Sequence, residues 1–222
     1  MIQMKLDTQA FKALKDMIDG TSKKVIAKYK AENPNVDENV ILFTGDSMIE
    51  FFKLDKYIPE IESLNRGIAG ATTKTYKDHF NDIFGDIKPK AIYVSIGSND
   101  LVLLRKTPLE VYSNVLDFFI QLRAHYKTVD FHYISMTPVI NEDHKLYKKI
   151  YVAGRSNEDI IEINSLLEVH FNKVGIEFIN VYDALVGDDG YLNENYTADG
   201  IHLNDLGYQI YSNLIKGSLI NK

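Results

Sequence analysis

The stretch of sequence that decides the fold is NVILFTGDSMIE, residues 39–50. Its unbroken apolar run, residues 40–43, predicts a strand that is buried on both faces, as strands of parallel sheets are. The TGD sequence at 44–46 then ends the strand and leads to Ser47. Open α/β sheets bind their ligands at the carboxyl ends of their strands, so Ser47 is a candidate nucleophile. A serine here also suits the simpler role of capping the following helix.

Strands and helices alternate along the rest of the chain. Apolar runs predict strands at 61–65, 90–96, 129–135 and 176–181, and helical periodicity predicts helices at 48–54, 72–84, 108–126, 157–174 and 203–219. This alternation predicts right-handed crossovers and a parallel, doubly wound sheet. We expect a three-layer α/β/α, flavodoxin-like fold of five parallel strands in the order 2-1-3-4-5, with helices on both faces.

The first 38 residues precede this alternation. Residues 8–32 have helical spacing in two apolar stripes, which Gly20-Thr21-Ser22 separates. No linker rich in proline or glycine follows that would mark a second domain. We therefore expect a helical extension at 1–38 and one domain at 39–222, with the extension packed on the domain or at a subunit contact, such as that of a homodimer.

An acid and a histidine lie together near the end of the chain, in TADGIHLN, residues 197–204. A serine hydroxyl needs an adjacent base, and that base needs a third group to fix its tautomer. We expect Ser47 to attack, His202 Nε2 to take its proton, and Asp199 to accept a hydrogen bond from His202 Nδ1. The G-x-S-x-G elbow of α/β-hydrolases is absent, because Ile49 stands two residues after Ser47.

Two glycine-containing segments offer hydrogen-bond donors for an oxyanion, on which negative charge develops during acyl transfer. The first is NRGIAG, residues 65–70, where glycine permits the Gly70 N–H to point at a ligand. The second is SIGSND, residues 95–100, where the amide of Asn99 lies just past a predicted strand. Either segment also fits an ordinary turn from strand to loop.

The four blocks together resemble the SGNH hydrolases, also called the GDSL esterase/lipase family. The second block is most similar to the branch with platelet-activating-factor acetylhydrolase-like and carbohydrate-esterase-like members. The resemblance implies a hydrolase that forms an acyl-enzyme on Ser47, with Asp199 and His202 completing the catalytic triad and with no cofactor or metal. It also implies an oxyanion hole made by the backbone N–H groups of Ser47 and Gly70 and the side chain of Asn99. The matching residues are Gly45-Asp46-Ser47, Gly70, Gly97-Ser98-Asn99-Asp100 and Asp199-Gly200-Ile201-His202.

The substrate pocket is expected beside residues 136–155, since loops at the carboxyl end of a strand commonly carry specificity. No long apolar lid is evident from the sequence, so we expect esters with short acyl chains, above all acetyl, on a small-molecule, lipid or carbohydrate alcohol. Water or another alcohol could accept the acyl group. The candidate pocket residues are Met48, Leu101, Met136, Ile140, Tyr147 and Tyr151.

Composition excludes several classes of protein. The chain has no cysteine, which excludes disulfides, thiolate metal sites and a cysteine nucleophile. A net charge of −6 argues against a nucleic-acid partner, which would require clustered positive charge. Residues 1–7 lack the apolar core of a signal peptide and no run of about 18 apolar residues occurs, so we expect a cytoplasmic protein without stable membrane insertion.

Two other classes remain open from the residues alone. Asp46, Asn99, Asp199 and His202 are oxygen and nitrogen ligands that a metal-dependent phosphoesterase could use. The other class is a binding module without catalysis, flavodoxin-like or specific for a sugar. Flavin binding is disfavoured, because Asp46 places a negative charge where a phosphate would lie.

Overall fold

A five-stranded parallel sheet forms the centre of the protein. A computed structural model describes residues 8–220 of the chain. The predicted order, 2-1-3-4-5, is confirmed. β1 and β3 are buried along their whole lengths, because helices cover both faces of the sheet. The strands are β1 (Ile41–Gly45), β2 (Ser63–Gly67), β3 (Ala91–Ser95), β4 (Asp130–Ile134) and β5 (Glu177–Ile179).

The helices agree with the sequence pattern in most places but are more divided. They are α1 (Thr8–Glu32), α2 (Ser47–Glu50), α3 (Leu54–Tyr57), α4 (Thr73–Asp78), α5 (Phe80–Phe84), α6 (Ser98–Leu103), α7 (Pro108–His125), α8 (Lys149–Val152), α9 (Asn157–Lys173), α10 (Tyr182–Leu185) and α11 (Asp205–Ile220). The predicted helix at 48–54 is replaced by α2 and α3, and that at 72–84 is divided at His79, whose ψ of 22° ends α4. The short helices α6, α8 and α10 lie where the pattern indicates no helix.

Two long helices begin at caps that the sequence encodes. Thr107 Oγ1 accepts the N–H of Glu110, the Glu110 carboxylate accepts the N–H of Thr107, and Pro108 occupies the first turn of α7. Ser156 Oγ likewise accepts the N–H of Asp159 at the start of α9. These side chains satisfy N–H groups that have no acceptor within the helix, so both helices start where they are predicted to start.

The core lies on both faces of the sheet. Leu42 belongs to an apolar cluster that includes residues of α7 and α9, whereas Phe43 belongs to one that includes residues of α2 and α11. Adjacent strand residues point to opposite faces, so one apolar run supplies both clusters. This layering holds the strand ends rigidly.

α1 is one continuous helix, although the sequence pattern indicates an interruption at 20–22. A single glycine is tolerated inside a helix, and Thr21 Oγ1 donates to the carbonyl of Met17 at 3.1 Å within it. The carboxyl half of α1 packs on the domain, where Tyr29 is buried and its hydroxyl donates to the carbonyl of Gly67 at 2.6 Å. α1 therefore lies beside the carboxyl end of β2.

None of the helices within residues 8–220 combines the length and the apolar character needed to cross a membrane. Residues 1–7, on which the expectation of a cytoplasmic protein partly depends, lie outside the described residues.

Candidate active site

The carboxyl ends of β1, β2 and β3 lie level with one another. Gly45, the last residue of β1, pairs with Gly67 on one side and with Ser95 on the other. The three segments that follow these strands therefore leave the sheet at the same edge. The sequence predicts the nucleophile and the oxyanion donors in these three segments.

Gly45 lets the backbones of β1 and β3 come together at this edge. A Cβ atom at position 45 would lie 1.9 Å from the carbonyl oxygen of Ser95. Asp46 donates its N–H to the same oxygen at 3.1 Å. A larger residue at position 45 would push the two strands apart. The close approach thus fixes the point at which the chain turns into α2.

Asp46, rather than Ser47, caps α2. Its Oδ1 accepts the N–H of Met48 at 3.0 Å, while Ser47 is the first helical residue. The alternative in which Ser47 serves only as a cap is therefore wrong. Burial raises the pKa of Asp46 to about 6, against the opposing effects of the Met48 N–H and the positive charge of Arg155. The hydroxyl of Ser47 is left available for another partner.

That partner is His202, 155 residues later in the chain. Ser47 Oγ lies 3.0 Å from His202 Nε2, and His202 Nδ1 lies 2.7 Å from Asp199 Oδ2. Asp199 Oδ1 also accepts the backbone N–H of His202 at 2.9 Å. Burial alone would raise the pKa of Asp199, but the hydrogen bonds and the charge of His202 outweigh it and lower that pKa. An ionised Asp199 can hold His202 in the tautomer that accepts a proton from serine.

Thr197 holds the loop that carries this acid and base. Its hydroxyl donates to the carbonyl of His202 at 2.8 Å and accepts the N–H of Gly200 at 3.0 Å. Gly200 has a φ of +92°, which favours glycine. The turn that Thr197 closes therefore holds Asp199 and His202 in fixed positions relative to each other.

Gly70 and Asn99 line the same cavity as Ser47. Gly70 has a φ of +76°, a conformation that side chains disfavour. The Asn99 amide nitrogen donates to the carbonyl of Ala71 at 2.9 Å. An asparagine amide carries two hydrogens, so a second one remains to donate to a ligand.

Arg155 fixes the other end of the Asn99 side chain. Its Nη2 donates to Asn99 Oδ1 at 2.6 Å, and its Nε donates to Ser98 Oγ at 2.9 Å. The Nη2 bond holds the amide oxygen of Asn99, while the carbonyl of Ala71 holds its nitrogen. Burial lowers the pKa of Arg155 to about 10, while the carboxylate of Asp46 opposes that shift. The guanidinium therefore stays charged at neutral pH.

A cavity of about 230 Å³ opens onto Ser47 and His202. Two aromatic side chains flank the histidine: the ring centroids of Phe51 and Tyr151 lie 5.3 and 5.6 Å from that of His202, both edge-on. A second cavity, of about 20 Å³, also reaches Ser47 and Asn99. Further apolar walls of the larger cavity come from Leu14, Met17, Ile18, Val102, Leu103 and Ile150.

Three of the six predicted pocket residues lie on these cavities. Tyr151 lines the larger cavity, and Met48 and Met136 line the smaller one. The other three line neither of these two cavities and pack in or against the apolar clusters: Leu101, Ile140 and Tyr147. The next two residues of α6, Val102 and Leu103, line the larger cavity, whereas Leu101 does not.

Sequence reasoning missed two parts of the site. Leu14, Met17 and Ile18 are spaced as one face of a helix, but this pattern does not show what the face contacts. Arg155 stands after a glycine in an irregular segment and has no motif of its own. Both were detectable only from the fold.

The four residues required by the phosphoesterase alternative do not form a ligand cluster. Both carboxylate oxygens of Asp199 bind groups within its own loop, and Asp46 Oδ1 binds the N–H of Met48. Over the described range 8–220, no group of three or more His, Asp or Glu side chains is arranged to hold a metal ion. The geometry instead suits a serine nucleophile with a base and an acid in line.

Comparison with known proteins links this geometry to one family. A model of the GDSL-like Lipase/Acylhydrolase family matches residues 53–210, which are 158 of the 222 residues. The match includes Gly70, Asn99, Asp199 and His202. It begins six residues after Ser47 and leaves out α1.

Proteins similar to this chain include two solved structures and one curated protein. A candidate platelet activating factor from Streptococcus pneumonia has a TM-score of 0.85 and 29% identity, with 96% of this chain and 100% of that chain covered. A GDSL-like lipase from Bacteroides thetaiotaomicron VPI-5482 has a TM-score of 0.74 and 22% identity, with 88% and 97% covered. An N-acylneuraminate cytidylyltransferase from Escherichia coli O18:K1:H7 (strain RS218 / NMEC) is 28% identical over 185 residues, 79% of this chain. The chain spans only 39% of that relative's length.

Proposed function

The chain belongs to the GDSL-like lipase/acylhydrolase family, and we propose that it is a serine esterase that cleaves carboxylic esters through an acyl-enzyme on Ser47. The observation that carries this proposal is the continuous set of contacts from Ser47 Oγ through the His202 ring to Asp199. A neutral serine hydroxyl becomes an effective nucleophile only beside a base of this kind.

In the first step, Ser47 Oγ attacks the carbonyl carbon of the ester while His202 Nε2 takes the hydroxyl proton. The carbonyl π bond opens, and its electron pair becomes the negative charge of the oxyanion. Asp199 stabilises the imidazolium that forms, because its ionised carboxylate accepts the Nδ1 proton as a hydrogen bond at 2.7 Å.

The oxyanion is stabilised by donors that are fixed before the substrate arrives. These donors are the backbone N–H groups of Ser47 and Gly70 and the free amide hydrogen of Asn99. Such preorganised donors contribute most when they need no rearrangement during the reaction. The carbonyl of Ala71 and the guanidinium of Arg155 support this role by fixing the Asn99 amide.

Collapse of the first intermediate breaks the bond between the carbonyl carbon and the alcohol oxygen. His202 Nε2 gives its proton to the departing alcohol. A water molecule then attacks the acyl-enzyme, His202 takes a proton from that water, and Ser47 Oγ leaves with the proton that His202 returns. The products are a carboxylic acid and the free enzyme.

We propose a short acyl group, such as acetyl, for the group transferred to Ser47. The cavity of about 20 Å³ beside Ser47 supports this choice, because its volume is close to that of a single small group. Met48 and Met136 form apolar walls that suit a methyl group. A longer acyl chain would have to displace these buried side chains.

The test is hydrolysis of p-nitrophenyl acetate and butyrate by the wild-type protein, by Ser47→Ala and by the control Ser113→Ala. Ser113 carries an exposed hydroxyl on α7, away from the cavity. We expect Ser47→Ala to lower kcat by about 10³-fold or more, and Ser113→Ala to leave it unchanged. An organophosphonate should add once to the wild type and to Ser113→Ala, as read by intact mass. Equal labelling of Ser47→Ala would contradict the proposal.

A further inference from the structure

The amino half of α1 forms one wall of the larger cavity, although α1 lies outside the part of the chain that matches the family. Leu14, Met17 and Ile18 line the cavity together with Ser47 and His202. The family match begins at residue 53. The match therefore says nothing about this wall, just as it leaves out Ser47, and the wall is known from the structure of this chain.

Contacts along its length hold α1 in this position. Ile18 packs on the oxyanion loop, since a Cβ added to Gly70 would lie 2.6 Å from Ile18 Cγ2. Near the amino end, the Arg105 guanidinium lies 4.7 Å from the centroid of the Phe11 ring. Near the carboxyl end, Glu32 pairs with the buried Arg66 at 3.2 Å. The wall is thus fixed relative to Ser47.

Four exposed apolar side chains line this cavity. Met17 is 57% exposed, and Phe51, Ile150 and Tyr151 are each between 44% and 46% exposed. They come from three separate segments and meet around one opening. Apolar side chains that cluster at the entrance to a reactive serine mark a binding surface for an apolar group.

We infer that α1 forms a binding site for an apolar alcohol portion of the ester, and that Met17 helps to select it. This inference rests on the proposed esterase activity. The alcohol is assigned to the larger cavity because His202 protonates the leaving oxygen, and Phe51 and Tyr151 flank the His202 ring on this cavity. The short acyl group occupies the smaller cavity beside Ser47. The substrate class is therefore a short-chain ester of an apolar alcohol.

The structure sets the expected dependence on alcohol length. Burying one methylene contributes at most about 0.8 kcal/mol, a factor of about four in kcat/KM. An open cavity buries part of each group, so we expect about a twofold gain per methylene. At roughly 30 Å³ for a water-sized group, 230 Å³ has room for about seven such groups. The gain should therefore end near hexyl or heptyl acetate.

The test compares Met17→Gln with the control Val169→Gln. Both positions are exposed apolar residues on long helices, at 57% and 56% exposure, but only Met17 lines the cavity. For each protein, kcat/KM is measured with ethyl acetate and hexyl acetate. We expect Met17→Gln to lower the ratio of hexyl to ethyl acetate at least about fivefold, since it replaces apolar contacts with an amide that must lose water. Val169→Gln should leave the ratio unchanged.

A second series separates the two halves of the ester. Ethyl acetate and ethyl hexanoate differ only in the acyl chain, and Met17→Gln should not change their ratio. If that ratio falls while the ratio for the alcohols stays constant, α1 contacts the acyl chain and the assignment is overturned. Equal losses on all three esters, or no loss on any, also overturn it.

Binding of 2-octanone, an uncleavable methyl ketone, makes the result independent of turnover. We expect saturation-transfer NMR to show binding that weakens at least about fivefold in Met17→Gln but not in Val169→Gln. If 2-octanone binds in this Met17-dependent way but no ester is hydrolysed by Ser47, the apolar site is supported and the proposed esterase activity is rejected. If Ser47 hydrolyses the esters but Met17→Gln does not change the affinity for 2-octanone, the role of α1 is rejected and the proposed esterase activity stands.

Discussion

Arg155 should act on catalysis through Asn99. The two side chains are joined by a bond of 2.6 Å between Arg155 Nη2 and Asn99 Oδ1. Replacing Arg155 with Met removes this donor and leaves the amide of Asn99 held only by its bond to the carbonyl of Ala71, so that it rotates more easily. A rotated amide would present its oxygen to the developing oxyanion and would repel it. Arg155 is therefore a positioning residue, since it acts on the oxyanion by orienting the Asn99 donor.

The size of the effect follows from the strength of the bond. A hydrogen bond to a charged group contributes about 1.5–3 kcal/mol, which corresponds to roughly a ten- to hundredfold loss of rate. Loss of a complete oxyanion donor costs about 10²–10³-fold in kcat, so the loss from Arg155→Met should not exceed that from Asn99→Ala. KM should change little, because the oxyanion forms only during the reaction.

The assay is a double-mutant cycle with p-nitrophenyl acetate. Arg155 also donates to the carbonyls of Tyr151 and Val152, so its loss could loosen α8 and the cavity wall. The cycle separates the two effects. If Arg155 acts through Asn99, Arg155→Met should lower kcat in the wild type but not in Asn99→Ala. An equal loss of kcat in both backgrounds would refute the reasoning and leave Arg155 a purely structural role.

The remaining predictions concern the acid of the site and the edge of the sheet. Asp199→Asn should lower kcat about 10⁴-fold with little change in thermal stability, because the amide favours the wrong tautomer of His202; an active variant with an unchanged pH profile would exclude this role. Gly45→Ala should prevent folding or lower the unfolding temperature sharply, since its Cβ would lie 1.9 Å from a backbone oxygen. The control Gly20→Ala, with no atom within 4 Å, should stabilise α1 by about 1 kcal/mol; equal unfolding temperatures for the two variants would contradict this. Burial raises the pKa of Asp46 to about 6, so the folded state binds more protons than the unfolded chain between about pH 4 and pH 6. The free energy of unfolding should therefore fall by up to about 3 kcal/mol as the pH rises from about 4 to about 6. Urea unfolding of Asp46→Asn, which keeps a capping side chain, should lack that fall, and an unchanged pH dependence would contradict the assignment.

The centre of the fold was predictable because its causes are local. The apolar run at 40–43 is unbroken since its strand is covered on both faces, and the next residues turn sharply because Gly45 touches Ser95. The local sequence therefore predicts both the position of β1 and the residue at which it ends. Parallel strands place their carboxyl ends at one edge, so the order 2-1-3-4-5 brings the loops after β1 and β3 together. Asp199 and His202 are close in sequence, which makes their pairing a local property as well.

The supporting contacts were not predictable, because they join residues that are far apart in the chain. Arg155 and Asn99 are separated by 56 residues, and no local pattern relates a lone arginine to an asparagine. Which apolar residues line the larger cavity was unpredictable for a similar reason. Leu101 and Val102 are both apolar residues of one short helix, and only the packing of α6 decides which of them lines the cavity.

α1 shows why the substrate site is harder to read than the catalytic centre. Its apolar face would look the same whether it covered the domain or met a second subunit. The contacts that decide between these positions join residues far apart in the chain, such as Glu32 with Arg66 and Tyr29 with the carbonyl of Gly67. The reacting groups, in contrast, stand in short motifs next to strand ends. A helix that carries none of the catalytic residues can therefore change the size of the cavity without moving Ser47 or His202, so proteins with the same catalytic motifs can differ in the esters that they accept.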